Sequence, residues 1–122
     1  MKTYLKEEQL KSNLSLGFPI EQWLSHYKEE DYTVIRWLRI DKEKDQNYTL
    51  AYFECFDEGN ENALDIYEFS MLNPDEPFGV LNQFDNIEDA LNFSENSYGA
   101  SIEKYVSAGM IQEEYHDYLR QY

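Results

Sequence analysis

Between Asp45 and Glu103 the chain has no lysine and no arginine. Such a stretch cannot neutralise its carboxylates through local i,i+4 pairs, so its elements must be held by apolar packing that tolerates like-charge repulsion. Residues 45–122 carry 17 acids against two bases, Lys104 and Arg120, while residues 1–44 hold eight of each sign. The formal charge of -15 therefore resides in the C-terminal two thirds. The apolar supply is adequate: 42% of the 122 residues are hydrophobic, with 11 Tyr, 7 Phe and 2 Trp. That content argues against intrinsic disorder, and the length suits one compact domain spanning 1–122.

Periodicity divides the chain into helices around a sheet. Thr3 to Leu16 reads as a helix with Leu5, Leu10 and Leu14 inward and Gly17 as its stop. Pro19 suits the start of a second helix, because Ile20, Trp23, Leu24 and Tyr27 fall at i, i+3, i+4 and i+7. From Tyr32 the pattern changes. Tyr32–Ile40 is rich in β-branched and aromatic residues, and Tyr48–Phe56 repeats that character beyond the polar run Asp41–Asn47. Leu64–Leu72 reads as a third strand after a turn at Asp57-Glu58-Gly59-Asn60. Phe78–Phe84 reads either as a short fourth strand or as an irregular edge. Apolar residues on both sides of the first strand (Ile35 and Trp37 against Val34 and Leu38) imply cover on both faces.

The last third reads as helical. Asp85 with Glu88 fits a capping-box variant ahead of Ile87, Ala90 and Leu91. Ser101 suits the cap of a short helix carrying Ile102, Tyr105 and Val106, ended by Gly109. A final helix holds Ile111, Tyr115, Tyr118, Leu119 and Tyr122. The expected fold is α+β: an antiparallel three- to four-stranded meander, preceded by two helices and followed by two to three C-terminal helices.

Several classes of function are disfavoured. No apolar run approaches the ~20 residues that span a bilayer, and Met1–Lys11 has no signal-peptide core. The lone Cys55 gives no reason to expect an oxidising compartment, so a cytoplasmic location is expected. Direct nucleic-acid binding is disfavoured, since phosphate contacts need Lys and Arg and here acids outnumber them 25 to 10. Isolated glycines make no phosphate loop, and Asp57-Glu58-Gly59-Asn60-Glu61 lacks calcium-loop spacing. One Cys and two separated histidines, His26 and His116, do not suit zinc. Cys55, between Phe53 and Phe56, reads as a small buried hydrophobe, and each histidine as a surface or boundary residue. Glu54 and Glu68 are candidate acids on adjacent strands, yet pairing with Arg36 or Arg39 accounts for both more simply. No catalytic, cofactor-binding or metal residue is therefore assigned.

Two functions of different classes remain. The first is a non-catalytic binding protein whose acidic, Tyr-bearing face docks a basic partner, as an inhibitor, an immunity protein or a nucleic-acid mimic would. Its expected contact residues are Asp57, Glu58, Glu61, Asp65, Tyr67, Asp85, Glu88, Asp89, Glu95 and Tyr98. The second is a small-ligand or enzymatic domain with a pocket between the sheet and the C-terminal helices, lined by Trp37, Phe53, Phe69 and the sheet glutamates. A buried, unsatisfied Glu54 or Glu68 in a cleft would favour the second. Either is compatible with a monomer or with a homodimer through Phe78–Phe84.

Overall fold

A computed structural model describes residues 4–121. Helix α1 (Glu7–Ser15) leads into strands β1 (Ile20–Lys28), β2 (Thr33–Lys42) and β3 (Tyr48–Phe56). A 3-10 turn (Ile66–Glu68), β4 (Val80–Phe84), α2 (Ile87–Tyr98), β5 (Val106–Ser107) and α3 (Ile111–Gln121) follow. The strands form one antiparallel sheet in the order β4-β3-β2-β1-β5. The expected meander is present as β1 to β4, and β5 adds a fifth strand by pairing with Ile20 and Glu21.

Both faces of the sheet are covered, and the alternation of β2 and β3 shows why. Leu38, Ile40 and Leu50 point to one side, where Leu10 and Leu14 of α1 and Ala90 and Leu91 of α2 close over them. Ile35, Trp37 and Cys55 point to the other, against Ile66, Phe69, and Ile111 and Tyr115 of α3. Period-two side chains on a doubly covered sheet give apolar runs in place of polar alternation.

The expected second helix is strand β1. In a helix, Ile20, Trp23, Leu24 and Tyr27 would share a face. In the strand, Ile20 and Leu24 pack with α1 and α2, while Trp23 lies over Tyr115 and Tyr118 of α3. A register shift between Trp23 and Ser25 introduces an extra residue, but the helical spacing comes from cover on both faces of β1. The buried polar residues decide the matter. Gln22 exchanges two 2.8 Å hydrogen bonds with the backbone of Ser101, and Glu21 bonds to Arg39. Pairing with sequence-distant groups overrides a local helical pattern.

Other segments also depart from the expected pattern. Ser101, clamped by Gln22, caps no helix, and the chain continues into β5, with Gly109 just ahead of α3. The expected strand Leu64–Leu72 contracts to a single bridge between Cys55 and Met71. Asp65 accepts the Tyr67 amide at 3.2 Å and starts the 3-10 turn, which aims both Ile66 and Phe69 inward. Glu68 is thus on an exposed turn, not in the sheet. The α2 cap is Asn86, whose Oδ1 accepts the Asp89 amide at 2.8 Å, one residue beyond the expected Asp85. Among the described residues one α-helix precedes the meander, and α2 and α3 follow it with β5 between them. The Thr3 start expected for the first helix and the Tyr122 end of the last lie outside the described residues.

Candidate functional site

On the α3 side of the sheet, α3 leaves part of β2 and β3 uncovered. Trp37 and Phe53, cross-strand partners, stack with ring centroids 4.2 Å apart. Residues 57–79 leave β3, cross over this surface as a strap, and return to the sheet edge as β4. Between strap and sheet lies a cavity of about 290 Å³. Trp37, Arg39, Phe53 and Cys55 form its sheet side; Ile66, Tyr67, Phe69 and Met71 form its strap side. Pro77 and Phe78 complete the lining, and Phe78 is 76% exposed.

Specific polar contacts pin the strap at its start and near its middle. Asp57 accepts the hydroxyls of Tyr115 and, at 3.0 Å, Tyr118. Glu58 accepts the Ser70 amide at 2.5 Å. Gly59 passes so close to the strap and α3 that a Cβ there would stand 2.3 Å from the Ala63 carbonyl oxygen and 2.5 Å from the Phe69 ring. Further along, the Tyr67 hydroxyl donates to Glu21 and accepts the Gly109 amide at 3.0 Å. Burial first, and then the Glu21 carboxylate, hold the Tyr67 hydroxyl above its ordinary range.

Chemical reactivity is muted here. Burial pushes the Cys55 thiol up to about 12, so at neutral pH it is protonated and a poor nucleophile. Ser25 and His26 are consecutive on β1 but point to opposite faces. The Ser25 hydroxyl accepts from Arg36 at 3.0 Å, while the His26 ring meets Tyr118 edge-on at 4.8 Å. A second cavity of about 390 Å³ lies beside them and takes in Glu114 and Asp117 of α3. Glu54 is satisfied: its carboxylate accepts from the Tyr52 hydroxyl at 2.7 Å, which accepts from Arg36 Nε at 2.5 Å. Arg39 bonds Glu21 and Asp41, not Glu68. Among the described residues, no three metal-ligating side chains gather, and no helix is long and apolar enough to cross a membrane.

The ten residues expected to make one docking face divide between two sides of the molecule. Asp57, Glu58, Glu61, Asp65 and Tyr67 belong to the strap. Glu88, Asp89, Glu95 and Tyr98 lie on α2 beyond the opposite face, with Asp85 just before it. Glu88 is drawn into an ion pair with Lys11 at 2.5 Å, and Tyr98 stacks on Tyr52 at 4.0 Å. Of the strap group Tyr67 lines the cavity, and none of the α2 group does. No family model matches the chain, and neither does any curated protein or solved structure. Local geometry therefore carries the functional argument. Sequence reasoning missed Phe78 as a site residue; an aromatic side chain between Pro77 and Gly79, in a turn with no core to enter, was the available signal.

Proposed function

We propose that this chain is a non-catalytic cytoplasmic binding protein whose strap face docks a basic protein. The observation that carries the reading is an aromatic cavity, with Arg39 on its sheet side, covered by a strap that carries acids and no base. Residues 57–76 contain seven acids and no base, and Glu61, Glu68 and Asp75 are exposed. At about 290 Å³ the cavity falls just below the ~300–1,000 Å³ typical of small-molecule pockets, which suits an apolar side chain of a partner. An aromatic anchor within a charged surround separates two tasks: the anchor contributes affinity, and the acids speed encounter and reject acidic competitors. Nucleases and other nucleic-acid-binding proteins have the required charge. An inhibitor or immunity protein fits better than a phosphate mimic, because a mimic needs no anchor cavity.

The test is affinity capture from the native lysate at low salt, comparing the native chain with three variants. Phe78→Asp and Glu61→Gln/Glu68→Gln/Asp75→Asn alter the strap face, and Asp89→Asn/Glu95→Gln alters α2. The expected result is one stoichiometric basic protein, retained by the α2 variant and lost or reduced with both strap variants. Equal retention by all four proteins would show ion exchange, and selective loss with the α2 variant would move the site to the other face. Either result overturns the reading.

A further inference from the structure

The strap ends in an unprotected sheet edge. Among the described residues, β4 pairs with β3 on one side and with nothing on the other. Edge strands are usually blunted by charges, proline or a bulge. From Phe78 to Phe84 the sequence Phe-Gly-Val-Leu-Asn-Gln-Phe has none of these, and Leu81 is 56% and Val80 37% exposed. Gly79 brings the strand in at φ +81°, where a Cβ would stand 2.6 Å from the Tyr52 carbonyl oxygen, so the edge is set tightly against β3.

We propose that β4 pairs with β4 of a second copy, extending the two sheets into one through a two-fold axis at Asn82. The charge pattern selects this occupant. A chain whose whole charge excess of -15 lies in residues 45–122 repels its own copy across the surface they form, and Phe78–Phe84 is an uncharged stretch of that segment exposed at a sheet edge. Antiparallel pairing centred on Asn82 uses the whole of β4. It sets Val80 opposite Phe84 and Leu81 opposite Gln83, and it places Asp85 opposite Gly79, so within the paired stretch no acid stands opposite another. Two five-residue strands bury far less than the ~1,200–2,000 Å² of a stable interface, so the dimer is reversible. Salt screens the repulsion between copies and strengthens it. This is the reverse of the salt dependence of docking to a basic partner, so the two associations are separable.

Sedimentation velocity on the full chain, over a range of concentrations at low and high salt, tests the proposal. The native chain should form a dimer that tightens as salt rises. Leu81→Glu/Gln83→Glu places carboxylates opposite each other twice across the axis and should weaken the dimer at least about tenfold. Leu81→Lys/Gln83→Glu places opposite charges at the same contacts and should recover it, while circular dichroism reports whether each variant is folded. A native chain that stays monomeric at high salt would overturn the proposal. So would a dimer indifferent to the double-glutamate change, or a folded charge-swapped variant that fails to recover association.

Discussion

Glu21 on β1 and Arg39 on β2 face each other across the sheet at 3.1 Å, with the Glu21 side chain wholly withdrawn from water and that of Arg39 31% exposed. The inequality makes the two partners unequally dispensable. Arg39 without Glu21 keeps Asp41 and solvent. Glu21 without Arg39 keeps only the Tyr67 hydroxyl and the Gly109 amide among its described polar contacts. Removing one partner of a buried pair costs chiefly through the charge left behind.

Arg39→Ala should therefore destabilise the fold by about 3 kcal/mol and Glu21→Ala by about 2 kcal/mol, measured by urea unfolding. Tyr67→Phe, which removes one hydrogen bond to a charged group, should cost about 1–2 kcal/mol. A larger loss for Glu21→Ala than for Arg39→Ala would contradict this account.

Gly59→Ala should cost about 2–3 kcal/mol, because the added methyl group meets backbone and ring atoms with no room to yield. A change of a few tenths would show that the strap shifts freely over the cavity.

Stability should fall in alkali. Burial pushes Cys55, ordinarily near 9, and Tyr52 and Tyr105, ordinarily near 10, up to about 12. Between those limits the unfolded chain binds fewer protons than the folded one, so unfolding becomes easier as pH rises. The stabilisation is complete below about pH 9 and erodes from there to about pH 12. Urea midpoints should hold steady from neutral pH to about 8.5 and drop clearly by about pH 11. A midpoint unchanged at the higher value would mean that these groups are solvated.

Moderate salt should raise the melting temperature, since screening relieves repulsion among the 17 acids of residues 45–122. Calorimetry at a concentration that keeps the chain monomeric checks this. A flat response would mean that the acids lie too far apart to interact.

Strand legibility in the sequence followed local composition. Tyr48–Phe56 is legible to the residue and Thr33–Lys42 nearly so, because dense β-branched and aromatic runs admit few alternatives. Residues 111–121 are legible as a helix by their spacing. Residues 20–28 carry a helical stripe because apolar residues lie on both faces of the strand, and nothing local distinguishes the two. The site was half legible. Trp37, Phe53 and Phe69 were recognised as pocket residues, but the cavity lies beneath the strap, and the sheet glutamates do not line it.

The sequence by itself determined the fold class, the two-sided cover of the sheet, and the imbalance that leaves residues 45–103 without a base. These depend on composition and short-range period, which each segment carries alone. Only the tertiary structure decided that β1 is a strand, that Ser101 answers Gln22 across 79 positions, and that strap and α2 acids lie on opposite faces. The first two rest on a buried polar group finding its partner far along the chain, and the third on which apolar face of the sheet each segment covers. Such pairings exist only once the apolar faces have brought the partners together and excluded water from them.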